Sequence, residues 1–146
     1  MTLVKIRIAI AGLGLLAACS CRIPIAVRGS TRTQVTVYAE EERAIARVTV
    51  RRLGFTGGWD DVWLATGEAV ATDIVYGAVP RGMTAQQPAE PLHPKGVYSV
   101  EVCAPPGWLG RTCEGSLTFA FSDLGVASAC ENVAQCLERV GLAPRP

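Results

Sequence analysis

Alternation of apolar and polar residues is the main pattern along the middle of the chain. In residues 45–53, Val48 and Val50 point to one side of an extended strand, while Arg47, Thr49 and Arg51 point to the other. The pattern recurs in residues 34–38, 97–103 and 117–121, and β-branched apolar runs occupy residues 63–66 and 69–79. A charged run, residues 40–42, predicts a solvated turn between strands. These segments together predict about six strands.

The period changes near the C-terminus. An apolar stripe with spacings typical of a helix consists of Cys130, Val133, Leu137 and Val140. Ser128 and Glu131 match a capping box, and Gly141 and Pro144 are typical of a helix end. We therefore expect one helix over residues 129–140.

The order of these elements indicates a mainly β fold. Successive antiparallel strands followed by a helix predict a small antiparallel β-sandwich, immunoglobulin-like or transthyretin-like in outline, with one C-terminal helix. The Cys…Trp…Cys spacing of true immunoglobulin domains is absent, so this expectation concerns architecture alone. Residues 80–96 contain four prolines and two glycines and are expected to form a long loop.

The first nineteen residues form a separate unit. Lys5 and Arg7 precede an uncharged apolar run over residues 8–16, which is too short to cross a bilayer as a helix. The run ends in Leu16-Ala17-Ala18-Cys19, which closely resembles the lipobox of bacterial lipoproteins. Small residues fit a narrow signal-peptidase site, and the cysteine thiol is the group that such proteins acylate.

This resemblance implies a cellular location for the protein. Residues 1–18 would be a lipoprotein signal peptide, residues 19–32 a lipidated tether, and residues 33–146 the β-sandwich domain. The membrane would be a partner through the lipid on Cys19, with Cys21 a less suitable acceptor. Ser20 resembles an outer-membrane sorting residue, so in a host with two membranes the domain would face the periplasm from the outer membrane.

Charge argues against nucleic acid as a partner. The chain has 14 Lys and Arg against 13 Asp and Glu, and two of the basic residues, Lys5 and Arg7, belong to the leader. The remainder is close to neutral and has no basic excess to attract a phosphate backbone.

The six cysteines are expected to be consumed by lipid and by disulfides. With Cys19 acylated, five thiols enter an oxidising compartment, and Cys21 is the best candidate for the odd one. The disulfide candidates are Cys103, Cys113, Cys130 and Cys136. In a continuous helix over residues 129–140, Cys130 and Cys136 are separated by about 9 Å of axial rise and cannot bond; they could bond only if Cys130 precedes the helix.

Two kinds of arrangement therefore remain for these four cysteines. Cys103 and Cys113 could staple the loop between their strands, or each could reach a helical cysteine. The second, crossed pairing is slightly favoured. The spacings match neither a zinc site nor a redox pair, so no metal or cofactor is expected.

The segment Gly57-Gly-Trp-Asp-Asp-Val-Trp63 is the most distinctive candidate for binding. Trp59 could stack on a sugar, and Asp60 and Asp61 could accept hydrogen bonds from hydroxyl groups or hold calcium. The simpler interpretation places Trp63 in the core and uses the carboxylates to cap a turn. Trp108, in a second glycine- and proline-rich turn, could dock a protein partner or fold back over the core.

No catalytic constellation is visible in the sequence. His93, the one histidine, lies in the proline-rich segment without a nucleophile elbow or an identifiable acidic partner. We therefore expect a non-enzymatic envelope lipoprotein that docks a protein partner through loops. The alternative is a glycan- or peptidoglycan-binding module that uses Trp59 and Trp108.

Overall fold

A computed structural model describes residues 22–31, 34–107 and 114–142 of the chain. Seven strands and one helix lie in this part. They are β1 (Ile25–Arg28), β2 (Thr36–Leu53), β3 (Trp59–Val75), β4 (Met83–Gln87), β5 (Val97–Cys103), β6 (Glu114–Phe121), β7 (Ala127–Cys130) and α1 (Val133–Arg139). The expected mainly β fold with a C-terminal helix is confirmed.

All seven strands belong to one hydrogen-bonded antiparallel sheet. Its order is β4-β3-β2-β5-β6-β7, and β1 pairs with the first part of β2. Register defines two ends. The turn end carries the β2–β3 turn (residues 54–58), the start of β5 and the β6–β7 turn (residues 122–126). The corner end is a row of paired residues: Arg47, Thr66, Cys103 and Glu114.

Strands β2 and β3 form one long hairpin that bends in the middle. The register of β2 against β3 shifts between Tyr38 and Arg43 and again between Ile45 and Arg47. Gly67, at φ 144°, lies where an added Cβ would meet the Gly82 carbonyl oxygen at 2.5 Å, so the corner requires glycine there. The four strands predicted within residues 34–79 are therefore two, and residues 40–42 lie within β2 instead of in a turn.

The bend lets the two halves of the hairpin enclose one core. Val37 and Ile74, which pair with each other in one half of the hairpin, belong to the same buried cluster as Trp63 from the other half and Tyr98 and Phe119 from β5 and β6. The aromatic rings of Tyr98, Phe119 and Phe121 pack against each other with centroids 5.5–5.8 Å apart. The two layers of the expected sandwich thus arise from one folded sheet.

The segment predicted as tether, residues 19–32, takes part in the fold from its fourth residue onward. Arg22 forms a parallel bridge with Glu114, and Ser30 forms an antiparallel bridge with Val126. Ile23 is only 3% exposed, and β1 lies between these two bridges. The boundary at residue 33 is therefore wrong, because Ile23 and the residues of β1 contribute apolar side chains and backbone hydrogen bonds to the domain.

The C-terminal helix is shorter than predicted. Its N-cap is Asn132, whose side chain accepts from the Gln135 N–H at 2.9 Å, and Gln135 in turn accepts from the Glu131 N–H. Residues 128–130 belong to β7. The expected helix over residues 129–140 and its capping box at Ser128 are therefore corrected to Val133–Arg139.

The proline-rich loop expected over residues 80–96 contains a strand. Residues 83–87 form β4, which pairs with β3 at the edge of the sheet. This strand follows Gly82 and ends just before Pro88, so the four prolines of residues 80–96 fall outside it.

Candidate functional site

The β2–β3 turn presents the most exposed apolar side chain among the described residues. The turn is closed by a hydrogen bond from the Gly54 N–H to the Gly58 carbonyl oxygen at 2.8 Å, and Gly57 supplies the left-handed φ of 82° that it requires. Phe55 projects from this turn and is fully exposed. A large aromatic ring held in water on a hydrogen-bonded turn is the kind of group that partners bury.

Trp59, Asp60 and Asp61 lie at the start of β3, directly after this turn. Trp59 pairs across the hairpin with Leu53 and is 37% exposed. Asp60 has its carboxylate beside Gly54, where an added Cβ would meet Oδ2 at 3.0 Å. Asp61 accepts from Arg51 Nε at 3.0 Å.

These contacts test the two interpretations of the segment. Asp61 is neutralised by a guanidinium, which weakens its case as a calcium ligand, and no group of three residues that could hold a metal is found among the described residues. Trp63 is 1% exposed and packs edge-on against Tyr76 at 5.4 Å, as expected of a core residue. Asp60 and Asp61 lie in β3, directly after the turn.

Trp108, the second aromatic residue of the predicted sugar site, lies outside the described residues. Trp59 lies at the turn end, where it forms the first pair of the β2–β3 hairpin with Leu53.

A group of exposed apolar side chains lies at the turn end. Leu124 and Val126, on the β6–β7 turn, are 80% and 50% exposed. Sheet register places this turn at the same end as Phe55 and Trp59, with β5 between the two hairpins. We call Phe55, Trp59, Leu124 and Val126 the apolar turn set.

A chain of ion pairs crosses the outer face of β2, β3 and β5. Arg47 contacts Glu101 at 2.7 Å, Arg51 lies 3.9 Å from the same carboxylate, and Arg51 also contacts Asp61. The pKa of Glu101 is lowered: burial, the largest single influence, would raise it, but the hydrogen bonds from Arg47 and Cys103 and the positive charges of Arg47 and Arg51 together outweigh burial. These side chains are partly exposed, so the pairs align neighbouring strands more than they stabilise the fold.

Cys103 has a free thiol, and it lies beside this ion-pair chain. It is 4% exposed; its Sγ accepts from Arg47 at 3.2 Å and lies 3.4 Å from Glu101 Oε1. Burial raises the pKa of this thiol, and the opposing influence of Arg47 does not overcome it. The thiol therefore stays protonated near neutral pH and is a poor nucleophile.

Cys130 and Cys136 form a disulfide. Their Cα atoms are 5.6 Å apart, because Cys130 ends β7 and precedes the helix. The crossed pairing favoured by the sequence is therefore wrong for these two residues. Cys19, Cys21 and Cys113 lie outside the described residues.

His93 is exposed on the loop between β4 and β5, and it contacts the rest of the domain through its backbone. Its N–H donates to the Tyr98 hydroxyl oxygen at 2.8 Å. Tyr76 anchors the same loop by donating to the Glu90 carbonyl oxygen at 2.7 Å. Burial raises the pKa of both phenols.

A small apolar cleft lies beside Arg43 and is lined by residues that include Ile23 and Val37. It is too small for an organic ligand.

Within the described ranges, no helix is long and apolar enough to traverse a bilayer.

Comparison with known proteins gives no relative from which a function could be transferred. No protein-family model, curated protein or solved structure matches the chain.

Proposed function

We propose that the chain is an envelope lipoprotein that is anchored through Cys19 and docks a protein partner through its turn end. The anchoring part is supported by the signal-peptide pattern that ends in Leu16-Ala17-Ala18-Cys19. The docking part is carried by one observation: two turns that lie far apart in sequence present Phe55 and Leu124 at the same end of the sheet. The proposed role is non-enzymatic.

Burial of these side chains by a partner would contribute usefully to binding. A fully buried Phe or Leu side chain contributes about 1.5–3 kcal/mol relative to its exposed state. Phe55 leaves water only in a complex, since it contacts solvent on all sides in the monomer. Arg51 and Asp61 lie nearby on the outer face and can supply a polar rim.

Anchoring is tested by fatty-acid labelling in cells. The Cys19→Ala variant is expected to lose incorporation of the fatty acid and to accumulate as uncut precursor. The matched Cys21→Ala variant is expected to keep both acylation and cleavage. Undiminished labelling of Cys19→Ala would refute the anchor.

Docking is tested with a photo-crosslinking amino acid at position 55 in intact envelopes. We expect one protein adduct of defined mass, and we expect the additional substitution Leu124→Ser to reduce its yield severalfold. The matched control is the same probe at Val70, which is 66% exposed but lies close to the corner end. Adducts of equal yield and mass from positions 55 and 70 would contradict docking through the turn end.

A further inference from the structure

The segment that joins the proposed lipid to the folded domain is very short. Arg22 already pairs with Glu114, and the Ile23 N–H donates to the Glu114 carbonyl oxygen at 3.0 Å. Only three peptide steps separate Cys19 from Arg22. Fully extended, three residues span at most about 10 Å.

The N-terminal segment also enters the fold at a defined position in the sheet. Glu114 is the first residue of β6 and pairs with Cys103, so Arg22 joins the sheet at the corner end. From there the chain runs alongside β6 to Ser30, which bridges to Val126 at the turn end. The chain thus enters at one end of the sheet and leads directly away from it.

We infer that the corner end lies against the bilayer that holds the acyl anchor and that the apolar turn set faces away from it. This inference rests on the proposed acylation of Cys19. A tether of about 10 Å is shorter than β6, which spans about 23 Å along its axis. The domain therefore cannot turn over to bring residues 54–58 to the lipid headgroups while Arg22 stays paired with Glu114.

This orientation decides which loops meet a partner. The corner end carries the bend of β2 and β3, the end of β5 and the start of β6, and it is occupied by the membrane surface. Phe55 and Leu124 are held at the far side, where a protein of the envelope reaches them without displacing lipid. The bilayer is thus the partner of the corner end.

The orientation is tested with fluorescent amino acids introduced by codon suppression at two exposed positions. Glu68 follows Thr66 at the corner end, and Thr56 lies on the turn that carries Phe55. Each acylated protein is purified and reconstituted into phosphatidylcholine vesicles that contain a lipid with a nitroxide on its headgroup, a short-range quencher. We expect at least threefold stronger quenching at position 68 than at position 56.

A linker variant provides the matched control. Twenty Gly/Ser residues inserted after Ser20 add about 25 Å of root-mean-square reach, so quenching at position 68 should fall to the level at position 56. Equal quenching of the two probes without the linker, or no effect of the linker, would overturn the orientation.

Failure of the anchor is distinguished by two measurements on the same samples, the mass of the N-terminal peptide and flotation with vesicles. A protein without acyl chains that does not float refutes the anchor and the orientation together. An acylated, floating protein with equal quenching refutes the orientation alone.

Discussion

At the scale of single residues, the free and the disulfide-bonded cysteines in the described part of the chain should react differently with alkylating reagents. Cys103 is buried and protonated beside Arg47 and Glu101, whereas Cys130 and Cys136 are bonded. We predict that an alkylating reagent modifies Cys103 slowly in the folded protein at pH 7 and completely after denaturation without reductant. Cys130 and Cys136 should be modified only after reduction.

Peptide mass spectrometry with two isotopic forms of the reagent, added before and after reduction, measures this difference. A Cys103 peptide that is labelled only after reduction would show that its thiol is bonded in the protein. Rapid labelling of Cys103 in the native state would show that its strand opens readily.

The buried phenols predict a loss of stability at alkaline pH. Tyr76 and Tyr98 have pKa values raised by burial, so the native state keeps their protons where the unfolded chain, with a tyrosine pKa near 10, releases them. Their contribution is complete below about pH 10 and is lost as the pH rises above it. The free energy of unfolding by urea, measured between pH 8 and 11, should therefore fall at the upper end.

Tyr76→Phe separates the hydrogen bond from the titration. The variant loses the bond to the Glu90 carbonyl oxygen, which costs about 1 kcal/mol at every pH. It also loses one titrating phenol, so its stability should decline less steeply above about pH 10. A decline as steep as that of the native chain would show that Tyr76 does not contribute to it.

At the scale of elements, Gly115 decides whether the N-terminal segment can lie against β6. A Cβ added to Gly115 would lie 2.5 Å from the Ile23 carbonyl oxygen and 3.1 Å from the side chains of Ile23 and Ile25. We predict that Gly115→Ala lowers the free energy of unfolding by about 1–3 kcal/mol. It should also speed hydrogen exchange at residues 23–28.

Gly58→Ala is the matched control for this substitution. Its added Cβ would meet only the Thr56 hydroxyl oxygen, at 3.9 Å, and its φ lies outside the left-handed region. The change in stability should stay within about 0.5 kcal/mol. Equal effects of the two substitutions would mean that the contact of Ile23 with β6 does not hold the segment.

The same elements show what the sequence could and could not predict. Alternation at Val48 and Val50 identified strand residues correctly, because the period of two is a local signal. It could not show that residues 34–38 and 45–53 form one bent strand. The charged residues 40–42 lie in a bulge, and the pairing of β2 with β3 resumes after it at Arg43. The helix start was placed too early because Cys130 fits the apolar stripe; its burial comes from the disulfide and from the end of β7.

The candidate site was partly predictable for a similar reason. The sequence singled out Trp59, Asp60 and Asp61, which do lie beside the exposed turn. Phe55 and Leu124 were missed, because exposure of one apolar residue in a glycine-rich turn has no periodic signature. Their common location depends on the strand order β3-β2-β5-β6-β7, which a single sequence does not reveal.

At the scale of the whole molecule, residues 22–31 complete the fold, although their composition resembles a tether. The sequence predicted a lipidated tether over residues 19–32, directly after the lipobox that ends at Cys19. In the structure Ile23 is buried, and Ile25 and Val27 pack against the core. The segment also pairs with β2 along β1 and bridges to β6 and β7, so it joins strands that lie far apart in the sheet order.

Two truncated proteins test this role directly. A protein that begins at Arg22 should unfold cooperatively, whereas one that begins at Gln34 lacks the burial of Ile23, Ile25 and Val27 and should be less stable by about 3 kcal/mol or more. This is a large share of the roughly 5–15 kcal/mol typical of a domain. The shorter protein also exposes the edge of β2 that β1 covers, so it should self-associate, as light scattering will measure. Equal urea midpoints for the two proteins, without association, would show that residues 22–31 are a simple tether. The tether between Cys19 and the folded domain would then be longer than three residues.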